Sequence, residues 1–182
     1  VTDPRDNTHW FGAREVGYPS LSTRLRVGTH ADAQQMQALA CILSVWSQVG
    51  QAISFDELIA NGDRNPGNVL WNGVQFTLID HERALGIQPM QLNRLALFAT
   101  NQFQPQLVAG VQSASTSAAL AQQALLGVGS TVWELITAEF ATTPPAIGQH
   151  CSAFSFLAQA NLVSLASNTA NAMTPMFARQ QQ

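Results

Sequence analysis

Two short runs, Val69 to Trp71 and Phe76 to Ile79, are apolar and β-prone, and Asn72-Gly73 lies between them. Asn-Gly flanked by such runs is the strongest short-range signal for a β-hairpin, so the two are expected to pair antiparallel. Most of the remaining chain carries helical spacing. That restricts the fold to a mainly α domain with one small hairpin, an α+β class. At 182 residues and 46% hydrophobic content the chain is expected to form a single domain over residues 1–182 with a real core.

Residues 1–30 are punctuated by Gly, Pro and Thr and read as an irregular N-terminal segment with one or two short elements. From Ala31 to Val49, Met36, Leu39, Leu43 and Trp46 recur at helical spacing, and Gly50 stands where a helix C-cap would. Ser54 to Ala60 reads as a short helical turn, with Ser54 as N-cap and Glu57 three residues on. Residues 89–175 read as helical. Pro89 starts a helix carrying Leu92, Leu95 and Phe98, and a second runs from Pro105 to Leu126 with a candidate break at Ser113 to Ser117. A third, Thr131 to Phe140, opens with a capping box of Thr131 and Glu134 and stops before Pro144-Pro145. Phe154, Leu157, Leu162 and Leu165 form the stripe of a last helix. Trp46, Trp71, Trp133, Phe154 and Phe156 are expected in the core, and disorder only at the ends, where residues 178–182 finish in a Gln run.

Only 10% of the residues are charged, the net charge is −3, and all eight basic residues are Arg. Neither duplex nucleic acid nor an anionic membrane is an expected partner of such a surface. Cys41 and Cys151 lie outside any metal-ligand spacing and are expected as buried thiols in a reducing compartment. No run reaches transmembrane length and no signal peptide opens the chain, so a soluble, cytoplasmic protein is expected. The first residue, Val1, suggests a processed chain or an excised piece of a longer one.

Against this low charge, residues 60–86, ANGDRNPGNVLWNGVQFTLIDHERALG, place Asp63, Asn68 and Asp80 at the ends of the two strands. If Asp63 and Asn68 flank the turn Arg64-Asn65-Pro66-Gly67, the hairpin returns Asp80 to the same place. Phosphoryl transfer needs a carboxylate that orients the acceptor and hard oxygen ligands that hold Mg²⁺ against nucleotide phosphates. Asp63 suits the first role, Asn68 and Asp80 the second. Each of the three is also an ordinary turn residue, and it is their combination around one hairpin that points to a site.

The same stretch, FDELIANGDRNPGNVLW followed by LIDHERAL, resembles HipA-like kinases, members of the protein-kinase-like fold, and is similar to the aminoglycoside and choline phosphotransferase group. The resemblance covers residues 55–86 and implies the C-terminal lobe of that fold. It implies Asp63 as the catalytic Asp, Asn68 and Asp80 as Mg²⁺ ligands, and ATP as the nucleotide. Arg64 would pair with a carboxylate or phosphate near the loop, and Trp71 would help to wall the nucleotide pocket. The pattern is incomplete. His81-Glu82 replaces Phe-Gly after the metal Asp, the chain has no Lys and no Gly-rich loop for the phosphates, and the segment after Asp80 is too short for a long activation loop. An N-terminal lobe or a partner chain is therefore expected to supply the Lys. The alternatives are a pseudokinase or a nucleotide- or partner-binding module without turnover, and a plain helical interaction domain in which the three residues do not converge. His81 reads as a hydrogen-bonded structural residue, and Glu82 with Arg83 as a solvated pair.

Overall fold

The computed structural model describes residues 17–28, 30–81, 84, 92–127, 130–141 and 145–174. In chain order the elements are α1 (Leu21–Leu25), α2 (Ala33–Ser44), α3 (Val49–Leu58), a 3₁₀ turn (Pro66–Asn68), β1 (Val69–Trp71), β2 (Phe76–Leu78), α4 (Arg94–Gln102), α5 (Pro105–Leu126), α6 (Thr131–Ala141), α7 (Pro145–Val163) and α8 (Leu165–Ala172). Among the described residues the architecture is mainly helical with one two-stranded antiparallel sheet, as the sequence pattern predicts. Among the described residues no single helix is long and apolar enough to cross a membrane.

The hairpin register pairs Val69 with Leu78, Leu70 with Thr77 and Trp71 with Phe76. Strand alternation then puts Val69, Trp71, Phe76 and Leu78 on one face, against the main core of Leu21, Leu39, Leu43, Trp46 and Ile53. The connection is a four-residue loop rather than a two-residue turn. Asn72 Oδ1 accepts the N–H groups of Val74 and Gln75, at 2.9 and 2.7 Å, and Gly73 supplies φ +104°. A lone pair of strands is marginal in water. Here its edge is covered by the chain before α1: Pro19 O accepts the Trp71 N–H, Ser20 bridges Leu70, and the Tyr18 and Thr77 hydroxyls meet at 2.7 Å.

Where the spacing predicts one helix over 31–49, the chain instead turns by 94° between α2 and α3. α2 opens on a full capping box, Asp32 with Gln35, and stops at Ser44. Trp46 sits buried at the corner and stacks on Phe76 at 4.7 Å, so the bend delivers an aromatic ring to the hairpin. Gly50 is no C-cap. It lies in the first turn of α3, where a Cβ would stand 2.9 Å from both Ala114 Cβ and the Ser115 nitrogen of α5. Ser54, expected as an N-cap, is mid-helix and fully buried, and its hydroxyl donates to Gln122 Oε1 of α5 at 2.7 Å.

Other boundaries shift for similar local reasons. α4 begins at Arg94 because Asn93 caps it, accepting from Ala96 N at 3.0 Å while its Nδ2 donates to Ile53 O of α3; the expected start at Pro89 lies outside the described residues. α5 is unbroken through Ser113 to Ser117, since Ser115 turns its hydroxyl back onto Val111 O at 2.7 Å. At the start of α6 the Val132 N–H donates to Ser130 Oγ, one residue before the expected cap. The last predicted stripe splits between α7 and α8: Leu162 and Leu165 are buried, with Leu58, Ile59 and Ala119, whereas Phe154 and Leu157 are exposed. Phe156 is exposed as well, and so is Cys41, against the expectation of a core residue in each case. Periodicity marks the helices and not the depth of their faces. The Gln run of residues 178–182 lies outside the described residues.

The contact at Gly50 sets how closely α3 can approach α5. A methyl group there opposes a neighbouring backbone nitrogen, and overpacking of about 1–3 kcal/mol outweighs the roughly 1 kcal/mol that Ala gains in helix propensity. Gly50→Ala is expected to lower the unfolding free energy in urea denaturation, whereas Gly110→Ala, whose new Cβ meets nothing within 4 Å, is expected to raise it.

Candidate functional site

The site begins at the C-terminus of α3. Ala60 takes the left-handed conformation, φ +49°, while Asn61 N donates to Asp56 O at 2.8 Å and Ala60 N to Glu57 O at 3.2 Å, the paired bonds of a Schellman cap. Gly is the usual residue at this position because a Cβ is unfavourable there. The cap turns the chain so that Asn61, fully buried, bonds on both sides: Nδ2 to Asp56 Oδ1 at 3.2 Å, and Oδ1 from the Asp63 N–H at 3.1 Å.

Arg64 then points inward. Its Nε donates to Asp56 Oδ2 at 3.1 Å and its Nη2 to Asp56 Oδ1 at 2.8 Å, a bidentate pair with both side chains fully buried. Nη1 donates to two carbonyls, Asn68 O at 3.2 Å and Ile79 O at 2.8 Å, and Nη2 also meets His81 Nδ1 at 3.1 Å. All five guanidinium N–H groups are thereby engaged. Of the two partners the sequence suggests for Arg64, the structure places it on a carboxylate, with no donor left over for a nucleotide phosphate.

The loop after Arg64 is tied from within. Asn65 Oδ1 accepts the Gly67 N–H at 2.8 Å, Pro66 opens the 3₁₀ turn, and Asn65 and Asn68 both donate their Nδ2 to Asp63 O, at 3.2 and 3.0 Å. The Ile79 N–H donates to Asn68 O at 3.1 Å, extending the hairpin by one bond beyond β2. Asp63, Asn68 and the residue before Asp80 are thus linked by direct hydrogen bonds, and the structure brings the three predicted site residues to one end of the hairpin. Asp80 itself is exposed, with φ +57°, a left-handed conformation that Asp tolerates better than most residues.

The Asp63 carboxylate forms an ion pair with Arg94 at the start of α4, Oδ1 to Nη1 at 2.8 Å, with Asp63 23% and Arg94 55% exposed. Trp71 stacks on Phe76 at 5.9 Å, and the Arg24 guanidinium lies 5.2 Å from its ring centroid, so the ring is engaged in the aromatic row of Trp46, Phe76 and Trp71. Asp56, Asn61 and Arg94 were not singled out by motif. The signal for Asp56 was an acid set among Phe55, Leu58 and Ile59, where a charge needs a partner; Arg94 carries no sequence signal.

Burial pushes the Asp56 carboxyl above its ordinary 3.8, against the pull of Arg64 and Asn61, which favour the carboxylate. His81 is lowered from 6.5, first by removal of part of its ring from water and then by the Arg64 charge. Arg64 has only donors, so His81 Nδ1 must accept, which places the proton of the neutral ring on Nε2. The ring edge also packs on Phe55 at 5.7 Å, in keeping with a structural histidine.

Among the described residues no group of three or more His, Cys, Asp and Glu side chains is placed to hold a metal ion. Among the described residues no such protein-only cage is formed, but Mg²⁺ bound with a nucleotide uses one or two carboxylates and completes its shell with phosphate and water. Asn68, its amide nitrogen donating to Asp63 O, and the exposed Asp80 carboxylate are the oxygen-bearing side chains at this end of the hairpin on which such a shell would draw. Comparison of the chain with protein-family models, curated proteins and solved structures finds no match.

Removing one member of a buried bidentate pair strands the other charge, at about 3–5 kcal/mol. Asp56→Ala is accordingly expected to lose most of the protein's stability, measured by thermal or urea unfolding. For His81 the unfolded chain binds the proton more readily than the folded one. Its contribution to stability is fully present above 6.5 and declines as the pH falls through the lower folded value. An NMR titration of His81 should show a midpoint below 6.5, and Asp80→Asn, by removing a carboxylate that raises it, should move the midpoint further down.

Proposed function

We propose that the hairpin end built by residues 61–81 is the metal and catalytic loop of an ATP- and Mg²⁺-dependent phosphotransferase of HipA-like type, in a domain arranged like the C-terminal lobe of the protein-kinase-like fold. The observation that carries this reading is the double use of Arg64 Nη1. By donating to Asn68 O and Ile79 O together, it sets Asn68 beside Asp80, while Asn68 Nδ2 holds the loop at Asp63.

Asp63 orients the acceptor hydroxyl, and Asn68 Oδ1 with the Asp80 carboxylate would hold Mg²⁺. When bound, the ion neutralises charge on the nucleotide phosphates. The protein's contribution is positioning, as phosphoryl transfer requires. Arg94 holds the Asp63 carboxylate from the start of α4, Nη1 to Oδ1 at 2.8 Å. A lysine for the nucleotide phosphates would come from an N-terminal lobe or a partner chain, because none is present in this one.

That missing Lys also favours a second reading, a pseudokinase or binding module in which the same loop holds a nucleotide or partner without turnover. The two differ in what Asp63 is needed for. Calorimetric titration with ATP, with and without Mg²⁺, is expected to show magnesium-dependent binding that is lost in Asp80→Asn. In the same buffer Asp63→Asn should keep the binding and lower ATP turnover by roughly 10²–10⁴-fold, the usual contribution of a positioned proton acceptor. Binding without any turnover in the wild type supports the second reading; binding unaffected by Asp80→Asn refutes both.

A further inference from the structure

A cavity of about 250 Å³ lies between α1, α2, α4 and the loop that follows Asp63. Its walls are mainly apolar, from Leu39 and Leu43 on α2, Leu95 and Phe98 on α4, and Pro66 on the loop, with Arg94 beside them. Close-packed interiors contain few voids larger than a water molecule, and an apolar cavity does not retain ordered water. Roughly 150 Å³ of such space accommodates benzene. The larger volume here has room for a substituted aromatic ring or a branched aliphatic body of similar size.

Its position gives the cavity a chemical meaning. Arg94 lines it and is the residue whose Nη1 lies 2.8 Å from Asp63 Oδ1; Asn65 lines it too and donates to Asp63 O. Asp63 is not itself a wall residue, and its carboxylate is one side chain, that of Arg94, away from the apolar space. We propose that this space holds the apolar body of the phosphoryl acceptor, a compact aromatic or branched alcohol whose hydroxyl faces Asp63. This assignment rests on the phosphotransferase reading. In the transfer, the acceptor oxygen forms a bond to the γ-phosphorus of ATP, the bond from that phosphorus to ADP breaks, and the hydroxyl proton passes to the Asp63 carboxylate. Arg64, whose five donors are engaged by Asp56, Asn68 O, Ile79 O and His81, is itself part of the cavity wall. The cavity selects by shape and apolarity, since it offers few hydrogen-bonding groups to a polar sugar.

The test uses benzyl alcohol and toluene as probes of the full chain, followed by NMR chemical-shift titration without ATP or Mg²⁺. Both are expected to bind saturably, with nuclear Overhauser contacts to Leu43 and Phe98 that locate them without any variant. Leu43→Phe, which fills the space, should weaken both by at least about tenfold. Asp63→Asn should weaken benzyl alcohol by about tenfold and leave toluene unchanged, because only the alcohol bonds to the carboxylate. Absence of binding, or contacts elsewhere on the protein, overturns the cavity assignment. An equal response of the two probes to Asp63→Asn overturns the acceptor role. Because no nucleotide is present, failure of magnesium-dependent ATP binding with probe binding intact refutes the phosphotransferase reading separately and leaves the cavity as a ligand site.

Discussion

A single guanidinium organises the end of the hairpin. Arg64 meets a helix terminus through Asp56, the start of β1 through Asn68 O, the chain beyond β2 through Ile79 O, and His81 through its ring nitrogen. No other side-chain type could do this: Lys has three donors around a point, whereas the planar fork of Arg reaches a carboxylate edge-on while its far nitrogens serve two carbonyls. Asn68 and the residue before Asp80 are bonded to that group directly, while Asp63 is held beside it by Asn61 and Asn68 and from α4 by Arg94. The carboxylate that Arg64 meets directly is Asp56, and the Asp63 carboxylate is paired with Arg94 instead.

The Asp56–Arg64 pair is better understood as a source of geometry than of stability. Taking both charges out of water opposes much of what their attraction provides, and the raised Asp56 carboxyl reflects that opposition. The pair instead fixes where two carbonyls and a histidine lie. Strain is placed close by: Ala60 and Asp80 both hold positive φ, one on each side of the loop. Residues held in such conformations persist where the surrounding bonds determine them. For Ala60 those bonds are the Schellman cap, and for Asp80 the neighbouring Ile79 is held by Arg64 and by Asn68.

The hairpin, the helical class and the grouping of Asp63, Asn68 and Asp80 were legible because each depends on local chemistry. Asn72-Gly73 between apolar runs admits few alternatives, and turn residues at strand ends come together whenever the strands pair. Other features were not legible, for physical reasons that can be named. Gly50 read as a cap, because the sequence does not show that α5 approaches within contact of α3 at that point. Ser54 read as a cap for the same reason, its partner Gln122 being remote in sequence. Phe154 and Phe156 read as core because helical spacing identifies a stripe without showing whether anything packs on it.

The sequence by itself determined the secondary structure of the hairpin region, the identity of the oxygen-bearing residues at its end and the absence of Lys, since these are written in single residues and short spacings. Only the tertiary structure decided what Arg64 is for, which carboxylate it meets, that Arg94 reaches Asp63 from the next helix, and that an apolar cavity lies beside that ion pair. Those relations join residues from separate elements. Their distances are set by how α2, α3, α4 and the loop pack, and packing is a property of the whole core.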